Sequence, residues 1–167
     1  NENDLILFDL GAQFEYYNAD ISRTFPISGK YSQRQKDVYD VVLQAQQAVT
    51  QAAKPGVPFS VLNDTAKKVL TEGCRKLGLI KEESELSEYY YHGVSHYLGL
   101  DTHDVGTRDT VLKEGMVITN EPGLYIACEG IGIRIEDDLL ISRDGAEVLS
   151  KDIIKDTFDI EAYIKNR

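Results

Sequence analysis

The order of segments along this 167-residue chain predicts an α+β fold. Three observations carry that reading. Short apolar runs with strand character open the chain, two long segments with helical periodicity occupy its middle, and strand-like runs return after residue 115. There is no repeat, low-complexity stretch or linker, and no alternation of strand and helix of the βαβ kind.

Leu5–Leu10 is a short apolar run and reads as a buried strand. Phe14 to Tyr17 and Ile21 to Phe25 read as strand with a bend between them, and Gly29-Lys30 closes the section. Ser32 with Gln35 three residues on forms a capping box that starts a helix. Val38, Val41, Val42, Ala45, Ala48, Val49 and Ala52 recur at helical spacing until Pro55-Gly56-Val57-Pro58. Ser60 is the expected cap of a second helix, with a stripe of Leu62, Ala66, Val69, Leu70 and Leu77 and a stop at Gly78. Glu82 to Glu88 reads as a polar surface turn or short helix. Met116 to Thr119, Gly123 to Ala127, Gly130 to Ser142 and Glu147 to Leu149 read as strands, and a last helix runs from about Phe158 to Lys165.

Twenty-eight acidic against 18 basic residues give a net charge of -10, which argues against nucleic acid or an anionic membrane as partner. No run is apolar and long enough to span a bilayer. Cys74 and Cys128 stand far apart, without metal-site or redox spacing, and Cys74 falls on an apolar helix face. Two such cysteines suggest no disulfide framework and fit a reducing cytoplasm.

Four carboxylates occupy unusual places. Asp9 ends the run from Leu5, Asp20 precedes the strand at Ile21, and Glu121 follows Met116–Thr119 by two residues. Glu136 ends Ile131-Gly132-Ile133-Arg134-Ile135-Glu136, where a period of two puts Gly132, Arg134 and Glu136 on the face opposite the isoleucines. Each alone fits a solvated strand end. Together in one place, four buried carboxylates require cations, because one unpaired buried carboxylate costs several kcal/mol. Two divalent ions would balance four carboxylates, and a neutral imidazole adds no charge.

All three histidines, His92, His96 and His103, lie in one short stretch. His92 and His96 are four residues apart, but Gly93 stands where a zinc-protease HExxH motif needs glutamate, so that motif is rejected. Singly, each fits a structural histidine; their concentration makes a site as good a reading as a structural role. No phosphate loop and no Gly-x-Ser-x-Gly elbow is present, and the apolar setting of Cys74 argues against a thiol nucleophile.

Five segments, in order, resemble the aminopeptidase P and prolidase family. They are Asp9-Leu10-Gly11-Ala12, Asp20-Ile21-Ser22-Arg23-Thr24-Phe25-Pro26, His92 to Gly106, Glu121-Pro122-Gly123-Leu124-Tyr125, and Gly132 to Asp138. The resemblance implies a pita-bread fold, with a curved antiparallel sheet flanked by helices. It implies two divalent metal ions, one held by Asp9, the other by His96 and Glu121, with Asp20 and Glu136 bridging. Oxygen-rich ligands with one imidazole suit manganese, cobalt or iron, and zinc is also compatible. A water or hydroxide between the metals would be the nucleophile, with Glu121 moving its proton. His92 and His103 would line the substrate pocket, while Tyr125 and Arg134 would support the site from behind the ligands. On its residues alone, Arg134 fits equally well a plain ion pair with a neighbouring carboxylate.

The implied activity is removal of an N-terminal residue ahead of proline. Prolidase, which takes Xaa-Pro dipeptides, is the near alternative; Ser95 between the two histidines resembles aminopeptidase P, where prolidases more often have glycine. Methionine aminopeptidase resembles the His92 to Gly106 segment less. A non-catalytic module binding peptides or proteins is the reading from another class. Family members carry an N-terminal domain and further catalytic-domain residues ahead of the first ligand. Residues 1–167 therefore read as the C-terminal part of a catalytic domain, truncated at its N-terminus. An exposed sheet face or edge is the expected consequence, covered in a longer enzyme or by a second chain, and a homo-oligomer is compatible with this.

Overall fold

The computed structural model describes residues 1–166 and has the α+β order expected. Strand β1 (Leu5–Leu10) pairs antiparallel with β4 (Ile21–Pro26), in a register that sets Asp9 opposite Ser22. Between them, β2 (Gln13–Phe14) and β3 (Tyr17–Asn18) form a small hairpin. Its two turn residues, Glu15 and Tyr16, both have positive φ, 48° and 69°, as a two-residue hairpin turn demands. A strand running through Phe14 to Tyr17 was expected; the chain instead reverses there. Neither residue carries the usual Asn-Gly signal.

Helix α1 (Gln33–Ala52) starts with the capping box at Ser32 and Gln35. Helix α2 (Ser60–Lys76) is capped differently from expectation. Phe59 is the N-cap residue and Ser60 the first helical residue, because Phe59 is buried as an anchor and pulls the helix start back by one position. Glu83–Glu88 forms a 3₁₀ turn.

Residues 89–116 form no helix or regular strand. Strand β5 (Val117–Asn120) follows, then β6 (Gly123–Ile126), β7 (Ile131–Arg134), β8 (Asp137–Ile141), β9 (Ala146–Val148) and α3 (Thr157–Lys165). β8 lies between β5 and β9, while β6 pairs with β7. The single strand expected from Gly130 to Ser142 is broken at Ile135-Glu136. The isoleucine alternation survives, with Ile131, Ile133 and Ile135 all buried.

The paired helices pack on these strands through two apolar clusters. One joins Val38, Val42 and Ala45 of α1 and Leu70 and Cys74 of α2 to Leu124, Ile126 and Ile133. The other joins Val49, Leu62 and Ala66 to Ile118, Leu139 and Ile141. Burial of this kind stabilises by roughly 1.5–3 kcal/mol per large side chain. Burial also pushes the Cys74 thiol up to about 11, so it stays protonated, while Cys128 is exposed and both thiols are free.

β1 departs from expectation in one respect. It is a strand, but not a buried one: Ile6, Phe8 and Leu10 are 39%, 44% and 65% exposed. The side chains alternate as in any strand, and on that face Phe8 meets only the ring edge of Phe25, 6.1 Å between centroids, and stays half-exposed.

Candidate metal centre

The site forms where β1, β4, β5 and the β7–β8 break meet. Asp9 is the fifth residue of β1, and Asp20 immediately precedes β4. The return between them is tight: a Cβ on Gly11 would sit 1.7 Å from the Ala19 carbonyl oxygen, so only glycine allows the two aspartates to approach. Glu121 leaves the end of β5, and Glu136 sits in the break before β8.

The histidine segment reaches the site without a helix. Its backbone lies against β5 through Leu98 N–H to Val117 O (3.3 Å), Thr119 N–H to His96 O (3.0 Å) and Glu121 N–H to Val94 O (2.8 Å). The four-residue spacing of His92 and His96 thus has no helical meaning. His96 Nδ1 donates to the Tyr97 carbonyl at 2.9 Å, which leaves Nε2 as the lone-pair nitrogen. That nitrogen lies 3.4 Å from Asp20 Oδ2 and 3.5 Å from Glu121 Oε1.

Three overlapping groups each bring their donor atoms within 4.8 Å of one another: Asp9, Asp20 and Glu136; His96, Glu121 and Glu136; Asp20, His96 and His103. All five residues singled out as ligands therefore meet in one place, and His103 joins them with its ring 4.2 Å from that of His96. The acids are poorly compensated. Burial, then the charge of Glu121, pushes Glu136 up to about 8. Burial raises Glu121 to about 7 against the pull of Arg134. Burial and the neighbouring Asp9 raise Asp20 to about 6. Burial lowers both His92 and His96, favouring neutral imidazoles. Crowded carboxylates, a neutral imidazole lone pair and room between them are the donor set that divalent ions fit.

A hydrogen-bonded chain stands behind these donors. Arg134 Nη2 pairs with Asp9 Oδ2 at 2.6 Å, Nε donates to Ser22 Oγ at 2.9 Å, and Nη1 donates to the Tyr125 hydroxyl at 3.2 Å. Ser22 Oγ in turn donates to Glu136 Oε2 at 2.6 Å. The Tyr125 hydroxyl lies 2.8 Å from His92 Nε2, whose Nδ1 donates to the Gly93 carbonyl at 2.8 Å. Both readings of Arg134 thus describe the same side chain: it is an ion pair, and it ties Asp9, Ser22 and Tyr125 together.

Three participants escaped the sequence reading. Ser22 holds Glu136, and Thr119 accepts the His96 N–H at 3.1 Å and lies 3.5 Å from Glu121. Asp138 accepts the backbone N–H of Asp20 at 3.2 Å, and burial raises its carboxyl to about 7. All three left the same faint signal: each stands two residues from a ligand, Ser22 from Asp20, Thr119 from Glu121 and Asp138 from Glu136.

Residues 1–143 match metallopeptidase family M24. The chain is 40% identical over 180 residues to Xaa-Pro aminopeptidase of Haemophilus influenzae, covering 96% of this chain and 42% of the relative. It is also 40% identical over 152 residues to Xaa-Pro dipeptidase of Pyrococcus horikoshii, covering 89% of this chain and 40% of that one. The structure of a protein described as an aminopeptidase P from Bacillus anthracis superposes with a TM-score of 0.98 at 62% identity, covering 99% of this chain and 40% of that chain. Aminopeptidase P of Escherichia coli superposes at 0.94 with 38% identity. The chain spans about two-fifths of the length of these relatives. With its pita-bread α+β fold and this match along most of its length, the chain belongs to metallopeptidase family M24.

Proposed function

We propose that this chain carries the catalytic centre of an Xaa-Pro aminopeptidase, which removes the first residue of peptides with proline in second place. The observation that carries the reading is the convergence of Asp9, Asp20, His96, Glu121 and Glu136 on one point, in a chain similar to enzymes named for this activity. Two divalent ions, manganese first among the candidates, would be held there. Asp20, His96 and Glu136 each belong to two of the three donor groups, so these three tie the groups into one site. Asp9 would complete one ion's ligands, and His96 and Glu121 the other's.

When bound, the ions lower the pKa of an attacking water and polarise the scissile carbonyl. The chain's own residues do the rest. Glu121 takes the water's proton and delivers it to the proline nitrogen, which as a tertiary amide has no hydrogen of its own. His92 and His103 line the substrate side. His92 is held by Tyr125 and the Gly93 carbonyl, so it meets the substrate in a fixed orientation. Arg134 holds Asp9 and, through Ser22, Glu136, which keeps the ligand geometry when the ions come and go.

The exposed outer face of β1, with Phe14 and Tyr16 at 77% and 78% exposure nearby, supports a further inference about partners. We infer that further polypeptide covers this face, in keeping with the chain's match to about two-fifths of the length of its relatives. The free thiols of Cys74 and Cys128 fit a reducing cytoplasm.

The test is hydrolysis of an Xaa-Pro-Xaa tripeptide and an Xaa-Pro dipeptide, with manganese and with a chelator. Metal-dependent cleavage of the tripeptide is expected. Cleavage of the dipeptide alone would make the enzyme a dipeptidase, as the Pyrococcus relative's name warns. No cleavage by the folded, metal-supplied protein would leave a peptide-binding module.

A further inference from the structure

The hairpin from Gln13 to Asn18 stands between the ligands Asp9 and Asp20. It adds little to the core, since Phe14 and Tyr16 are exposed, and its turn holds two non-glycine residues, Glu15 and Tyr16, at positive φ. Backbone kept in that sparsely populated region points to a use beyond packing. Among the described residues, the hydrogen bonds of this hairpin to the rest of the chain all go to Leu98, Gly99 and Leu100.

Asn18 makes most of these bonds. Its backbone N–H donates to Gly99 O at 2.8 Å, and its side-chain Nδ2 donates to Gly99 O at 3.0 Å and to Leu100 O at 2.8 Å. The Tyr17 hydroxyl adds a bond to Leu98 O at 3.1 Å. Gln13 Nε2 donates to Asn18 Oδ1 at 3.2 Å, which fixes the amide with its NH2 group toward the two carbonyls.

The gripped segment leads to His103. Residues 99–106 close on themselves through Asp104, whose carboxylate accepts the N–H of Leu100 at 3.2 Å and of Val105 at 2.8 Å, and whose own N–H donates to Tyr97 O at 3.0 Å. Among the described residues, their hydrogen bonds to other elements come from Asn18 alone. His103 is exposed, forms no hydrogen bond among the described residues, and meets the site through the ring of His96, 4.2 Å between centroids. His92, by contrast, is held by Tyr125 and the Gly93 carbonyl. The orientation of His103 is therefore set by its loop, and Asn18 is the loop's hydrogen-bonded tie to the hairpin.

We propose that Asn18 is a positioning residue for His103, and that the hairpin between the two aspartate ligands is the brace that sets this histidine against bound substrate. The inference rests on the reading of His103 above as a residue of the substrate side.

The experiment measures kcat/KM of the intact, manganese-loaded protein on an Xaa-Pro-Xaa tripeptide, and amide hydrogen exchange over residues 97–107, for wild type, Asn18→Ala and Asn18→Asp. Asn18→Ala keeps the backbone bond and removes only side-chain donors at a half-buried position, so the fold survives. Asn18→Asp keeps the size and shape but sets a carboxylate against two carbonyl oxygens. The amides of Gly99, Leu100, Asp104 and Val105 should exchange roughly tenfold faster in both variants. The value of kcat/KM should fall roughly tenfold, inside the hundredfold or so that a misplacement of about 1 Å can cost. Asn18→Asp should be at least as impaired as Asn18→Ala; a side chain needed only for packing would rank them the other way. The loss should vanish when Asn18→Ala is placed in a His103→Ala background and persist in full in His92→Ala. Wild-type exchange and kcat/KM in Asn18→Asp, or a full loss that persists in His103→Ala, overturns the proposal and leaves the peptidase reading standing. No cleavage by the wild type overturns the peptidase reading and with it the role of Asn18 in the reaction, while exchange still decides whether the hairpin braces the loop.

Discussion

Arg23 offers the sharpest test of how the site is built. Its guanidinium is buried and every arm is engaged. Nε donates to Ile154 O (3.1 Å), Nη1 to Ser22 O (2.9 Å) and Glu136 O (2.6 Å), and Nη2 to Asp137 Oδ1 (2.7 Å) and Ile153 O (3.2 Å). It therefore ties β4 to the main chain of Glu136 and to the segment ahead of α3. Arg23→Met keeps length and apolar contact but removes five donors. Breaking a buried ion pair costs about 3–5 kcal/mol. Lys155 still pairs with Asp137, and Ser150 still donates to it at 2.6 Å, so the loss should fall near the lower figure, ~3 kcal/mol. For a chain of this size that is a fall in melting temperature of roughly 6–12 °C. The loss should also depend on pH. Burial opposes ionisation of Asp137, but Arg23 and Lys155 outweigh it and hold the carboxyl below its usual value. A depressed acid contributes its full stability above the unfolded pKa and loses it as pH falls through the folded one. The gap between wild type and Arg23→Met should therefore be widest at neutral pH and shrink below about pH 4. Because Glu136 loses one of its two main-chain anchors and keeps only its N–H bond to Ser22 O (3.0 Å), manganese affinity by calorimetry should weaken roughly tenfold. A variant within 1 kcal/mol of wild type at pH 7, with unchanged metal affinity, would refute this account of Arg23.

Other outcomes follow from the same geometry. Without metal, stability should fall as pH rises from 6.5 to 8, because Glu136 has its pKa raised to about 8 and the folded state holds its proton longer than the unfolded. Glu121 and Asp138, each raised to about 7 by burial, add to the fall in the same direction, while His92 and His96, lowered by burial, act in the opposite sense only up to about pH 6.5. The expected loss from Glu136 is ~2 kcal/mol by denaturant melts, abolished by manganese; a flat profile with chelator would contradict it. Gly11→Ala should lower the melting temperature and abolish tight metal binding together, since its Cβ would lie 1.7 Å from a backbone oxygen that cannot move without parting Asp9 from Asp20. Tyr125→Phe should keep the fold and metal affinity but lower kcat roughly tenfold or more, with a changed pH profile, because His92 Nε2 loses its donor; an unchanged profile would remove Tyr125 from the site.

How much of this was legible in the sequence can be judged from particular residues. Local signals are written in the chain: the capping box at Ser32 and Gln35, the apolar stripe from Val38 to Val49, and the alternation of Ile131, Ile133 and Ile135 all formed as read. The five segments bearing Asp9, Asp20, His96, Glu121 and Glu136 could likewise be recognised by residue type and order. Their meeting could not be derived, because it depends on β1 closing on β4, on Val94–Leu98 lying against β5, and on the break at Ile135-Glu136. These contacts join residues distant in sequence, as far as the 114 positions between Ser22 and Glu136, and no local propensity encodes them. The same limit explains the misreadings. A run such as Leu5–Leu10 specifies a strand by its pattern, but which of its faces is covered depends on what else packs there. The α2 start at Phe59 followed a buried anchor rather than the hydroxyl at Ser60. Sequence determined the elements and the kinds of ligand; tertiary structure decided their convergence, because burial and long-range pairing are properties of the folded chain alone.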